Sequence, residues 1–407
     1  MANEDHAETK TVLEDPFFAL VADTQWNACV GKQGSAENYV DGYLEAAQVL
    51  ISTLISSRMM GSRDTLAMPI LYNCRHAIEL SLKHLIDQLT RSGISIPQGP
   101  VDHDISLLLT RLIGARIGDE AVRMRLNELV PFVKSLAQID NDGQQLRYAR
   151  DREGTRSLES VALVNLKVIG YSIAKLSKIL SSLKYRASDL IEERMVGSHT
   201  AHCSREDLKV IAGMLGPHSS WGESSFKERK LRVRERFDLS GGEIDKAIDV
   251  IRNSAPLAAE IGIEASLLHL SDEKVMRIFE TWLPEQGRRA ESDDGLGYQL
   301  ADLHRVREYV VRVDQLDDVL VDMLTLEEVA DLEALFYIGR DHVLGEYYAK
   351  NVAGSAVDLR RLPSLKTGVH HLSTKMNLLI CVIDGITAVG RASLAARLSE
   401  LANTLAA

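Results

Sequence analysis

The sequence predicts an all-α protein. Aromatic residues make up only 5% of the 407 residues and there are only 9 prolines, whereas β-rich folds favour aromatic and β-branched residues. Apolar residues recur at intervals of three and four along most of the chain, which is the period of an amphipathic helix. Hydrophobic residues form 45% and charged residues 26% of the chain, an ordinary globular composition. The length favours two to three domains.

A leader and two long helices open the predicted fold. Residues 1–34 show little periodicity, and we expect them to form an N-terminal leader. After Ser35 one apolar face is continuous to about residue 61, which predicts the first helix. Asp64 is a good N-cap for a second helix that ends at Gly93. The second helix is long enough to cross a domain.

Three further helices complete a predicted N-terminal bundle. The segment 102–104 opens a third helix, and Asp119 is expected to cap a fourth. A fifth, long helix is predicted over about 157–183. Five helices within residues 35–185 describe an up-and-down helical bundle.

The second half is also predicted to be helical. Residues 186–203 lack an apolar period, and we expect a linker there before a C-terminal domain over residues 204–407. A charged, glycine-containing loop at 286–297 divides that domain into two parts. Ser204 followed by Asp207 indicates a helix start. Two later helix starts fit the pattern of a capping box: Ser240 with Glu243, and Thr325 with Glu328.

The composition also narrows the environment and the partners. The four cysteines are far apart and form no Cys-x-x-Cys pair, so we expect reduced thiols. The N-terminus is acidic and lacks the order of a signal peptide, and no apolar stretch is long enough for a bilayer. A net charge of −11 argues against a surface that coats nucleic acid broadly. We therefore expect a cytoplasmic protein with no membrane contact, no cofactor and no metal.

The most informative segment is the helical run from Leu71 to Ile86. At about 100° per residue, its polar side chains share roughly a third of the helix circumference, beside an apolar arc. Burying charged groups is unfavourable unless they pair. This polar stripe therefore faces water, forms an internal network or lines a site. Its members are Tyr72, Arg75, His76, Glu79 and Lys83.

Two other local features accompany the polar stripe. His103-Asp104 precedes an amphipathic helix, and the loop 140–154 has the order Asp-x-x-Gly-x-x-x-Arg-Tyr-x-x-Asp-x-x-Gly. Together with Arg-His-x-x-Glu-Leu-x-Leu-Lys in the stripe, this order resembles a prokaryotic branch of the HEPN superfamily. The resemblance covers residues 35–185 and leaves the second half unassigned.

The resemblance implies an RNA-related function. Such bundles commonly dimerise and often belong to toxin, abortive-infection or antiphage systems, and many are metal-independent ribonucleases. In these enzymes a histidine serves as acid or base on the 2′-hydroxyl, and an arginine stabilises charge on the phosphate. We therefore expect a defence or stress-response homodimer that cleaves RNA or binds a nucleotide, with a defence-system protein as a further partner. The catalytic candidates are His76, His103 and Arg75, the phosphate-binding candidates are Lys83 and Arg147, and the orienting candidates are Glu79, Tyr72 and Asp151.

The catalytic interval of the family, Arg-x4-6-His, is absent from residues 35–185. Arg75 is adjacent to His76 and too far from His84. The interval occurs at Arg194 and His199, where a methionine replaces the usual polar residue. These two residues are the alternative catalytic pair, and coincidence within the linker is the competing interpretation.

Non-enzymatic interpretations stay open beside the nuclease. The i, i+4 spacing of Arg75, Glu79 and Lys83 suffices for a structural salt-bridge ladder in a dimeric scaffold or regulator. The basic run 227–236 either contacts nucleic-acid phosphates or forms a solvated helix face. The histidines near residues 342 and 370 are expected to serve in caps or packing, since no Glu-x-x-His pair accompanies them.

Overall fold

The chain is all-α, as predicted. The computed structural model forms sixteen α-helices and no β-strand within the residues that it describes, and Arg150 and Arg156 form an isolated bridge. Residues 1–23 and 32–33 of the predicted leader lie outside the description. The described residues are 24–31, 34–100, 103–150, 154–159, 161, 163–290 and 302–406.

The chain divides into two compact units. The first takes its members from residues 1–84, 102–108 and 132–178. The second takes its members from the remainder, which is residues 85–101, 109–131 and 179–407. The predicted domain division around residues 186–203 remains a prediction.

The first half of the chain forms the five helices that the periodicity predicts. Ser35 caps the first of them, because its side chain accepts a hydrogen bond from the Asn38 backbone N–H. Asp119 caps the fourth by accepting from Val122 N at 2.7 Å. The helices are α1 (Ala36–Ser56), α2 (Arg63–Arg91), α3 (Ile105–Gly114), α4 (Glu120–Asp140) and α5 (Leu166–Met195).

Two helix boundaries differ from the prediction. Helix α2 begins at Arg63, so that Asp64 lies in the first turn and is not the cap. Helix α5 begins nine residues later than expected (166 − 157 = 9). The reason is that Leu158 adopts a left-handed φ of 56°, and its N–H donates to the side chain of Gln145 at 3.1 Å.

The far end of α5 also differs. The helix continues to Met195, so residues 186–195, which were predicted to be linker, are helical. Ala187 and Leu190 are each only 2% exposed, so the apolar face of the helix continues past the predicted end. Burial of these side chains stabilises the added turns.

Four short helices of the second unit share one apolar core. The capping box predicted at Ser240 is present, with reciprocal bonds to Glu243. The helix start predicted at Ser204 is also a capping box, with reciprocal bonds to Asp207. Central core members include Leu208, Phe237 and Ile251. The helices are α6 (Arg205–Leu215), α7 (Ser225–Phe237), α8 (Gly241–Asn253) and α9 (Ala255–Ala259).

The remaining helices pack around α12. The capping box at Thr325 and Glu328 is present. A Cβ added to Gly339 would lie 1.9 Å from Cys381 O, so the backbones of α12 and α15 touch there. The helices are α10 (Asp272–Ala290), α11 (Asp302–Met323), α12 (Leu326–Asp341), α13 (Tyr348–Leu359), α14 (Leu365–Ser373), α15 (Leu378–Ala388) and α16 (Ala392–Ala406).

Three further predictions concern the loop at 286–297, the cysteines and the absence of a membrane span. Of the loop predicted at 286–297, residues 286–290 belong to α10, and the rest lies outside the described residues. All four cysteines are unpaired; Cys29 is exposed and the other three are buried. None of the helices searched within the described ranges combines the length and apolarity needed to span a membrane.

Candidate functional site

The polar stripe of α2 forms an internal network in the first unit. Arg75 is 1% exposed and Glu79 is 2% exposed, so their charges lie inside the protein. They form an ion pair with 2.6 Å between Arg75 Nη1 and Glu79 Oε2. Of the three predicted possibilities, the structure therefore selects burial in a network for these two residues.

Four of the five N–H groups of the Arg75 guanidinium bind protein acceptors. Its Nε donates to Asp140 O at 2.9 Å, and its Nη2 donates to Asn141 O at 2.8 Å and to His103 O. Its Nη1 donates to Glu79. Arg75 thus fastens two loops onto α2.

Glu79 accepts hydrogen bonds from several side chains of the site. Its Oε1 accepts from Lys83 Nζ at 2.7 Å and from His103 Nδ1 at 2.8 Å. Burial by itself would raise the pKa of Glu79, but contacts with His76, Lys83, Arg75 and His103 outweigh it and hold the pKa well below its usual range. The carboxylate therefore remains ionised at neutral pH.

His103 presents one ring nitrogen to solvent. Its side chain is 64% exposed, against 27% for Lys83 and 21% for His76, which makes it the most accessible of these three. Because the ionised Glu79 only accepts hydrogen bonds, His103 Nδ1 is the donor, and in the neutral ring Nε2 carries the lone pair. A buried carboxylate that fixes the tautomer of an exposed histidine is compatible with acid–base chemistry at that histidine.

His76 is held between aromatic rings. It meets Tyr43 edge-on at 4.5 Å between centroids and stacks on Tyr72 at 5.5 Å. Its Nδ1 lies 3.8 Å from Glu79 Oε2, which is too long for a hydrogen bond. The structure therefore places His76 beside the network, with less access to solvent than His103.

Arg147 lies over the ring of Tyr72, with its Cζ 5.7 Å from the ring centroid. Its guanidinium also lies 5.4 Å from the centroid of Tyr148, and its Nε donates to Gly143 O at 2.6 Å. Asp140 shapes this loop, because its carboxylate accepts from two backbone N–H groups at 2.8 and 3.0 Å. Arg147 is thus linked to the network through Tyr72 and the loop.

The remaining predicted site residues are Asp151 and the alternative pair, Arg194 and His199. Asp151, predicted to orient the site, lies outside the described residues. Arg194 and His199 belong to the second unit, where Arg194 Nε donates to Ser92 O. Burial lowers the pKa of both side chains, and Arg194 lowers that of His199 further. His199 is consequently neutral at neutral pH, and no described atom bonds its buried Nδ1.

The basic run on α7 is largely occupied by local contacts. Lys230 pairs with Asp245 at 2.6 Å, Arg236 pairs with Glu120 at 3.1 Å, and Arg234 Nε donates to a backbone oxygen at 3.2 Å. Val233 is buried. These contacts favour the interpretation of a solvated, paired helix face.

The second unit contains another buried charge network, which the sequence did not indicate. Arg186 contacts Asp119 at 2.8 Å and Glu193 at 2.7 Å, and Arg205 contacts Glu346 at 2.9 Å. The pairs with Asp119 and Glu346 join residues far apart in sequence, so no local motif could reveal them.

The other histidine features have structural contacts. His342 ends α12 in the left-handed region with φ of 52°. His370 Nδ1 lies 2.7 Å from Asp317 Oδ2, which ties α14 to α11. Among the residues searched in the described ranges, no three His, Cys, Asp or Glu side chains form a potential metal site.

Comparisons with protein-family models, with curated protein sequences and with solved structures find no match for this chain.

Proposed function

We propose that this protein cleaves RNA without a metal, as a HEPN-type endoribonuclease, and that His103 is its acid–base group. The supporting observation is the 2.8 Å contact between the buried Glu79 carboxylate and Nδ1 of the exposed His103. This contact leaves Nε2 of His103 available to a substrate. The sequence resemblance supplies the substrate class, the homodimer and the defence context.

The chemistry follows from the two side chains that share Glu79 Oε1, a neutral His103 and a charged Lys83. His103 Nε2 takes the proton of a ribose 2′-hydroxyl, whose oxygen attacks the adjacent phosphorus and displaces the 5′-oxygen; the departing 5′-oxygen takes a proton from water. Lys83 Nζ lies 2.7 Å from Glu79 Oε1, so its charge is next to the imidazole and stabilises the phosphate. The products carry a 2′,3′-cyclic phosphate and a 5′-hydroxyl. Glu79 and Arg75 position His103 and Lys83.

The test is cleavage of a labelled single-stranded RNA by the purified chain in EDTA. We expect His103→Gln to lower the rate by about 10²- to 10⁴-fold, the usual contribution of an acid–base group. The matched control is His370→Gln, because His370 is also a largely exposed histidine bound to a buried carboxylate. It should cleave as the unsubstituted protein does. Equal rates for the protein and His103→Gln, or no cleavage at all, would refute the proposal.

A second candidate function is a non-enzymatic dimeric scaffold. The observation that favours it is the burial of Arg75 with four hydrogen bonds to protein acceptors. Arg75→Ala lowers stability in either function and does not separate them. A scaffold cleaves no RNA and is unaffected by His103→Gln, whereas in a nuclease His103→Gln lowers the cleavage rate without a matching loss of melting temperature. The cleavage assay beside thermal melting of His103→Gln therefore separates the two functions.

A further inference from the structure

An open cleft in the first unit has no part in the reaction proposed above. Its volume is about 1080 Å³, and its described lining comes from the first turns of α2 on one side and from residues 145–149, 156–159, 161, 163, 164 and 166 on the other. Ligand sites in proteins commonly enclose about 300 to 1,000 Å³ and combine apolar walls with a few polar groups. The cleft therefore has the size of a small-molecule site.

The wall of the cleft exposes apolar side chains. Met68 is 40% exposed, Val164 is 41% exposed and Leu163 is 93% exposed. All three line the cleft, together with Leu71 and Leu166. Exposed apolar side chains that gather at one place mark interaction or ligand sites. The wall thus indicates a ligand with an apolar body.

Positive charge lies at the same wall. Three arginines line the cleft, namely Arg63, Arg147 and Arg156, against the two carboxylates Asp64 and Glu159. Arg63 lies 3.5 Å from Asp64. Within the described part of the chain, neither Arg147 nor Arg156 has an ion-pair partner. Two guanidinium groups are therefore available to an anion.

Arg147 is the better anchored of these two. Its Nε is fixed to Gly143 O at 2.6 Å, and its plane is flanked by Tyr72 and Tyr148. These contacts leave the two terminal nitrogens free of described partners. A guanidinium held in this way loses little conformational freedom when it binds a carboxylate, sulfonate or phosphate.

We propose that this cleft binds a small amphipathic anion, whose apolar body lies on Met68, Leu71 and Val164 and whose charged group lies on Arg147 and Arg156. The charge of the ligand is inferred from Arg147 and Arg156, and its apolar body is inferred from the exposed apolar side chains of the wall. The site is independent of RNA cleavage, because His103 and Lys83 are not among the residues that line it.

The test uses the full chain and the fluorescent probe 8-anilinonaphthalene-1-sulfonate, which joins an apolar aromatic body to one anion. We expect saturable binding, weakened about tenfold by Arg147→Gln, which corresponds to about 1.4 kcal/mol, and lost in Met68→Glu. The matched controls are Arg232→Gln and Met124→Glu, which alter exposed residues of the second unit. Unchanged circular dichroism must accompany each variant. Binding by Met68→Glu as tight as that of the unsubstituted protein would overturn the proposal.

Competition identifies the chemistry of the ligand. Decanoate should displace the probe and decylammonium, with the same tail and the opposite charge, should not; equal displacement would overturn the anion assignment. Binding to phosphatidylglycerol vesicles without displacement by free decanoate would assign the cleft to a membrane surface. Saturation at one probe per two chains would assign it to a contact between two copies. Either of the last two results overturns a free small ligand.

Discussion

His103 Nδ1 lies 2.8 Å from Glu79 Oε1, so a largely exposed histidine is held by a carboxylate that is only 2% exposed. The two residues are 24 positions apart in the chain. Arg75 supports this pair from two sides, because it binds both the Glu79 carboxylate and the His103 backbone oxygen. The Glu79 carboxylate therefore takes part both in the buried ion pair that stabilises the fold and in the proposed acid–base group.

Arg75→Ala should strongly destabilise the protein. The change leaves the buried Glu79 without its closest charge partner and frees the Asp140 and Asn141 carbonyls, and breaking a buried pair typically costs about 3 to 5 kcal/mol. The measurement is the free energy of unfolding in urea. The control is Arg91→Ala, which removes an exposed i, i+4 pair with Asp87 and should change stability by less than about 0.5 kcal/mol. Similar losses in the two variants would contradict the structural role of Arg75.

Gly143→Ala should be more destabilising than Gly154→Ala. Both glycines have a left-handed φ, of 81° and 84°, where a side chain costs about 1 to 2 kcal/mol. Only at Gly143 would the added Cβ also lie 2.9 Å from Arg75 Nη1, whereas at Gly154 nothing lies within 4 Å. Thermal melting of the two variants isolates the effect of the contact with Arg75. Equal shifts in melting temperature would mean that the contact of the new Cβ with Arg75 is relieved at no cost, and would contradict the prediction.

Gly339→Ala should disrupt the packing of α12 on α15. The added Cβ would lie 1.9 Å from Cys381 O, a backbone atom that cannot rotate away, so the helices must separate. We expect a loss of at least about 3 kcal/mol. Gly354→Ala is the control, since it lies inside a helix with nothing within 4 Å, and it should stabilise by about 0.5 to 1 kcal/mol. Chemical denaturation of both variants checks the sign of each effect.

Asp207→Asn should change the pH dependence of stability. Burial, and then the neighbouring Asp119, raise the pKa of Asp207 from 3.8 to about 6. Because the folded pKa is the higher one, the stability contributed by the protonated form is complete below pH 3.8 and is lost as the pH rises through about 6. The asparagine stays neutral, so the variant should gain stability relative to the natural chain across this window.

Urea denaturation of both proteins from pH 4.5 to 7.5 measures that gain. The difference should grow by up to about 1.4 kcal/mol per pH unit below pH 6 and level off above it. Asp245→Asn, which alters an exposed carboxylate, is the control. A difference between Asp207→Asn and the natural chain that does not vary with pH would show that Asp207 is ionised throughout.

Much of the secondary structure follows from short-range sequence patterns. The helix start at Ser204 and the capping boxes at Ser240 and Thr325 were predicted, because their bonds join residues only three apart. The boundaries of α5 were not predicted correctly. Its end depends on the burial of Leu190 by other segments, and its delayed start depends on a turn closed by Gln145.

In the candidate site, too, the short-range contacts were predictable and the long-range ones were not. The ladder of Arg75, Glu79 and Lys83 was visible in the i, i+4 spacing of one helix, and the structure contains both pairs. The spacing could not show which face of the helix is buried. That depends on Asp140, whose carbonyl reaches Arg75 from 65 residues away.

By itself the sequence determined the helical class, the caps and the polar stripe, since these depend on hydrogen bonds and apolar periodicity within a few residues. Only the tertiary structure decided that Arg75 and Glu79 are buried, that His103 is the accessible histidine of the network, and that Arg147 lines a cleft. Whether a charged group is removed from water depends on segments distant in the chain. Desolvation and long-range pairing therefore separate the structural Arg75 from the available His103, although both contact Glu79.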